Sequence, residues 1–159
     1  MKNQTTAERT SDRELTVTRT FNAPAHLVFE AWSRPELFQR WWIPKSFGLT
    51  LVSCKMDVRT GGTYRLEIRP PGAEHAMAFF GTYKEVVPNK RISWTNEESP
   101  EGSVTTATFE EKDGKTFVVV HDLYPTKEAL DAAIASGSTG GFPEQFDALD
   151  AFLANGWGN

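Results

Sequence analysis

The 159-residue chain has one cysteine, Cys54. That excludes an intrachain disulfide and suits a reducing cytoplasm, the expected location. No apolar run approaches the ~20 residues that cross a bilayer as a helix. Positive charge is in deficit: 17 Lys and Arg stand against 21 Asp and Glu, a net charge of -4. Nucleic acids and anionic membranes both require a basic face, so neither is an expected partner. Gly-x-Ser-x-Gly, a phosphate-cradling glycine loop and a dinucleotide fingerprint are all missing. His26, His75 and His121 lie far apart and Cys54 has no companion, so neither a metal site nor a cofactor is expected. The first ten residues lack the hydrophobic stretch of a signal peptide. Residues 1–12 read as a flexible leader to a single domain over 13–156.

Aromatic residues are plentiful. Eleven Phe, five Trp and three Tyr make up 12% of the chain. Such flat, rigid side chains fill a core or line a pocket for an apolar ligand.

The final stretch organises the rest. Phe142, Phe146, Leu149 and Leu153 recur at i, i+4, i+7 and i+11, with Phe152 beside them, which is one stripe of an amphipathic helix. Glu144, Gln145, Asp147 and Asp150 take the opposite side. Pro143 suits a first turn and Gly156 a stop.

Upstream, Glu14–Phe21 alternates Leu15, Val17 and Arg19 against threonines and reads as a strand. Pro24 opens a short helix to about Trp32. Pro35 opens a second, which carries Leu37, Phe38, Trp41 and Trp42 and ends at Pro44. Six further strands follow: 49–56, 63–69, 76–87, 91–95, 104–110 and 116–123. Tyr64, Leu66 and Ile68 face one way and Arg65, Glu67 and Arg69 the other, as on a sheet with one solvated face. Met77, Phe79 and Tyr83 share a face that Phe80 does not. Asp113-Gly114 is a strong hairpin signal. Strands without intervening helices argue for an antiparallel meander. Thr126 can cap a helix to about Ser136 with Leu130 and Ile134 on its apolar face. Gly137, Gly140 and Gly141 interrupt before the last helix. The expected class is α+β, a curved antiparallel sheet of six to seven strands around a long C-terminal helix.

Strand, two short helices, antiparallel strands and C-terminal helix is the helix-grip order. Phe21-Asn-Ala-Pro24, Ala31-Trp32, Pro35-Glu-Leu37 and Arg40-Trp-Trp-Ile-Pro44 open the match. Asp57-Val-Arg59 with Gly61-Gly-Thr-Tyr-Arg65, Gly81-Thr-Tyr83 through Pro88, Ile92-Ser-Trp94, Thr116–His121 and Gly137–Leu153 continue it. Over residues 14–154 the chain resembles the START-like (SRPBCC) superfamily, in the branch similar to the activator of the heat-shock-protein-ninety ATPase. It departs at Gly141-Phe142, where many members have Trp. The resemblance implies a helix-grip fold and a cavity more firmly than a reaction. Members include lipid and polyketide binders, cyclases and a drug-sequestering protein, and fold alone does not choose among them.

The candidate ligand-binding residues are Trp41, Trp42, Tyr64, Phe80, Tyr83, Trp94, His121, Phe142 and Phe146. Each has a plain alternative as core filling, favoured for at least one of Trp41 and Trp42. Tyr64 and Tyr83 carry hydroxyls able to fix a ligand's polar end. His121, in phase with Phe117, Val119 and Leu123, is a weak candidate for general acid or base; a core histidine bonded to a neighbour is the favoured reading. Asp122 is expected to face the other way. Cys54 reads as a small buried residue. The expected partner is a small apolar or aromatic molecule, with a homodimer left open. The alternatives are a cyclase- or hydrolase-like enzyme using His121 or a cavity tyrosine, and a protein-interaction module like the chaperone activator.

Overall fold

The computed structural model describes residues 5–42, 48–97, 102–135 and 142–154. Its elements run β1 (Thr6–Arg9), β2 (Glu14–Phe21), α1 (Ala25–Ser33), α2 (Pro35–Phe38), β3 (Thr50–Met56), β4 (Thr63–Arg69), β5 (Met77–Val87), β6 (Arg91–Thr95), β7 (Val104–Lys112), β8 (Lys115–Leu123), α3 (Lys127–Ala135) and α4 (Phe142–Ala154). The strands form one antiparallel sheet of eight, in the order β1-β2-β8-β7-β6-β5-β4-β3. It is curved and unclosed.

The sheet has one strand more than expected. Thr6–Arg9, read as part of a leader, pairs with Leu15–Thr18. All four of its residues are exposed. An edge strand whose side chains all face water needs no apolar alternation, so the sequence carried no sign of it. At the opposite edge β3 has a bulge between Leu51 and Ser53, which leaves Val52 exposed.

Local chemistry sets several boundaries. Pro35 occupies the first turn of α2, where its missing N–H costs nothing. Thr126 Oγ1 accepts from the Ala129 amide at 3.0 Å and so caps α3. Asp113 and Gly114 both take positive φ, 56° and 76°, the backbone of a tight hairpin turn. That turn fixes Lys112 opposite Lys115 and hence the whole β7–β8 register. The expected stops at Pro44 and Gly156 and the glycine-rich break at 137–141 lie outside the described residues.

The core joins the inner sheet face to α1, α2 and α4. Val17, Phe21, Val28, Trp41, Val118, Val120, Phe146 and Leu149 are almost wholly buried there. Phe146 meets Phe21 edge-to-face at 5.5 Å. α3 buries Ala129 and Leu130, while Ile134, expected on its apolar face, is exposed.

Arg19 is also inward-facing and buried. Its Nη1 donates to Asp147 Oδ1 at 2.7 Å and its Nη2 to Asp150 Oδ2 at 2.6 Å. These aspartates were expected on the helix's outer side. They turn instead to the Arg19 guanidinium, because a buried guanidinium must be paired. Among the described residues, no helix is long and apolar enough to cross a membrane.

Candidate functional site

The alternation of β3–β6 decides what can line a site. Met56 lies opposite Tyr64, Cys54 opposite Leu66 and Leu51 opposite Ile68. Leu66 in turn faces Phe79, and Tyr83 faces Trp94. All these side chains point to the inner face. Leu51, Cys54, Met56, Tyr64, Phe79 and Trp94 are only half-buried, whereas the inner residues of β2, β7 and β8 are nearly sealed. The uneven covering follows from helix placement: α4 lies against β2, α1 against β7 and β8, and α2 against β3. The result is a half-open apolar surface of rings and sulfurs between β3 and β6.

Tyr64 and Tyr83 pack with ring centroids 5.6 Å apart. A side chain at Gly81 would prevent this: its Cβ would stand 1.8 Å from the Thr95 carbonyl oxygen and 2.9 Å from the Tyr64 ring. The Tyr64 hydroxyl donates to the Thr95 carbonyl at 2.7 Å. Burial pushes the Tyr83 phenol well above the ordinary tyrosine range, with Cys54 and Asp57 adding to the effect. Burial likewise pushes the Cys54 thiol up to about 11, assisted by Glu36. Cys54 is therefore a protonated thiol at neutral pH, not a nucleophile. Its Sγ lies 3.6 Å from Met56 Sδ.

Other expected site residues fall elsewhere. Trp41 is fully buried and donates its indole N–H to the Ala31 carbonyl at 3.0 Å, so it belongs to the core. Phe146 is likewise core. Trp42 is half-buried, stacked on Phe38 at 4.7 Å, and its carbonyl accepts from Gln145. The Phe142 side chain lies outside the described residues. Phe80 is corrected. It occupies the outer face, 36% exposed, with Arg65 Cζ 5.8 Å from its ring centroid. Phe79 takes the inner position, since Leu66 and Phe79 share a register.

His121 is corrected as well. It pairs across the sheet with Thr16 and Thr106 on the outer face, beside exposed Phe117 and Leu123. Its Nε2 lies 2.6 Å from Glu14 Oε2. That hydrogen bond holds the Glu14 carboxyl below the usual range. The inward titratable group of β8 is Asp122, only 7% exposed. It accepts from Thr105 Oγ1 at 2.5 Å. Thr105 accepts from Asn96 Nδ2 at 3.1 Å, and Asn96 Oδ1 lies 3.2 Å from the Tyr64 hydroxyl. A buried polar chain thus runs from Asp122 to the rim of the apolar surface.

Burial pushes the Asp122 carboxyl up to about 6, against the opposing hydrogen bond from Thr105 and the charge of His121. The unfolded chain releases this proton near pH 4 and the folded chain near 6, so stability falls as pH rises through that window. The loss is on the order of 2–3 kcal/mol. Asp122→Asn is expected to remove this fall and to raise stability at pH 7.5 relative to wild type. Urea unfolding at several pH values measures it; an unchanged pH slope would show Asp122 to be ionised throughout.

The described residues hold no group of three or more His, Cys, Asp and Glu placed to bind a metal. A strongly bent antiparallel sheet gripping a C-terminal helix, with short helices after its first long strand, defines a START-like SRPBCC fold. Residues 22–154 match the model of the "Activator of Hsp90 ATPase homolog 1-like protein" family, and the chain belongs to that family. No curated protein matches it in sequence. Solved structures match it in fold. One from Rhodobacter sphaeroides is 22% identical, with a TM-score of 0.85 over 95% of this chain and 98% of that one. One from Staphylococcus epidermidis is 27% identical, with a TM-score of 0.77 over 94% and 93%. An AHSA1-like protein from Aeromonas hydrophila is 16% identical, with a TM-score of 0.68 over 87% and 92%.

Proposed function

We propose that the chain binds a small hydrophobic or aromatic molecule on the sheet face that grips the C-terminal helix, at the half-open surface between β3 and β6. The observation that carries this reading is the uneven covering of the inner face. Tyr64, Phe79 and Trp94 stay half-buried and Met77 is 55% exposed, while the neighbouring core is close-packed. A concave apolar surface with few polar groups is what a ligand site requires. The fold is one commonly used for ligand binding. The enzyme alternative loses one of its two named proton carriers, because His121 faces outward, and keeps the inward tyrosines. Docking of another protein is a second reading, with exposed Phe117 and Leu123 on the outer face in its favour.

Thermal melts with neutral aromatic compounds and an uncharged hydrophobic dye test the first reading. A ligand at a hundred times its Kd is expected to raise Tm by ~5–10 °C, from ~2.7 kcal/mol of added stability. If no compound moves Tm or the tryptophan emission, the binding function is wrong.

A further inference from the structure

We infer that the inner-face site takes a neutral aromatic ligand with one hydrogen-bond acceptor, anchored by the Tyr83 hydroxyl, and rejects carboxylates and other anions. This rests on the binding reading above. Tyr83 is 4% exposed, but its hydroxyl is not sealed: the fully buried side-chain atoms without a partner among the described residues are Arg19 Nε and Trp32 Nε1. A hydroxyl at the edge of solvent bonds to water until a ligand acceptor takes its place. Register with Trp94 places the side chain on the inner face, and its ring packs against Tyr64. The donor therefore belongs to the half-open surface. A buried orphan donor lies nearby: Trp32 Nε1 is unpartnered, and the Trp32 ring lies 6.2 Å from that of Trp94. Burial keeps the Tyr83 phenol protonated at neutral pH, so it acts as a donor.

Among the described residues, the same surface offers an anion no counter-charge. Its inward positions on β3–β6, from Leu51 on β3 to Trp94 on β6, are the apolar and aromatic residues described above. None is cationic. Lys55, Arg65, Arg69, Lys84 and Arg91 are all exposed. Arg19 does face inward, but both its terminal nitrogens are held by Asp147 and Asp150. A carboxylate entering here would lose its water without gaining a counter-charge. A neutral carbonyl would lose less and would satisfy the tyrosine.

Three naphthalenes of matched size separate these cases: acetylnaphthalene, ethylnaphthalene and naphthoate, titrated calorimetrically at neutral pH. The acetyl compound is expected to bind ~3–10-fold more tightly than the ethyl compound, with naphthoate weakest. Tyr83→Phe is expected to abolish the acetyl preference and leave the ethyl affinity unchanged. Naphthoate binding as tightly as the ketone, or a ketone preference that survives Tyr83→Phe, overturns the inference while the binding function stands. Absence of binding by all three overturns both. If the variant does not fold, the wild-type ranking alone decides.

Discussion

Replacing Asp147 and Asp150 together with asparagine is expected to destabilise the fold by about 3 kcal/mol, the lower end of the range for breaking a buried ion pair. The loss comes from the partner left behind. The Arg19 side chain is 1% exposed, and its Nε is already without a partner. Removing both carboxylates leaves a buried guanidinium without a counter-charge, held among the described residues by the Thr5 hydroxyl 3.0 Å from Nη1 and by whatever the asparagine amide oxygens still accept. The lower end applies because Asp147 is 44% exposed, so solvent screens part of its contribution. Arg19→Met is expected to cost less, since the aspartates can turn to water and the thioether suits its apolar neighbours. Urea unfolding of the two variants tests this asymmetry. A cost below about 1 kcal/mol for the double variant would mean that water reaches Arg19 after all.

Leu149→Ala is expected to cost ~2–5 kcal/mol as a large-to-small change in a packed core. Leu149 is fully buried on α4, one helical turn from Phe146, which contacts Phe21, Trp32 and Trp41. Rings packed on that many sides cannot collapse easily into the space a leucine leaves. Leu153→Ala, at a half-buried position, is expected to cost less. The midpoint of denaturation should move without a change in slope. If Leu149→Ala cost under about 1 kcal/mol, the helix face would be misplaced.

Much of the fold was legible because its elements carry unambiguous periods. Tyr64, Leu66 and Ile68 alternate with charged residues, so the inner face of β4 could be read directly. β8 could not. Phe117 and Val119 are as apolar as Val118 and Val120, and local alternation alone chose the wrong side for His121. A longer-range signal was present. The Asp113-Gly114 turn sets Phe109 opposite Val118 and Ala107 opposite Val120. Glu110 marks the exposed side of β7, so Phe109 must face in, and with it Val118, Val120 and Asp122. Phe80 failed differently. Its separation from Phe79 and Tyr83 was visible, but an aromatic ring gives no sign of which side is wet. The Arg19 clasp was hidden because a lone inward arginine on a strand does not name partners about 130 residues away.

The bulge at Val52 reaches beyond its own strand. β3 ends the sheet, and its far side would otherwise present a regular ladder of amide and carbonyl groups. One extra residue breaks the spacing of that ladder and twists the border away from any straight strand laid against it. A stray peptide meeting this margin finds its bonding rhythm interrupted midway, so fibre-like accretion has poor footing there.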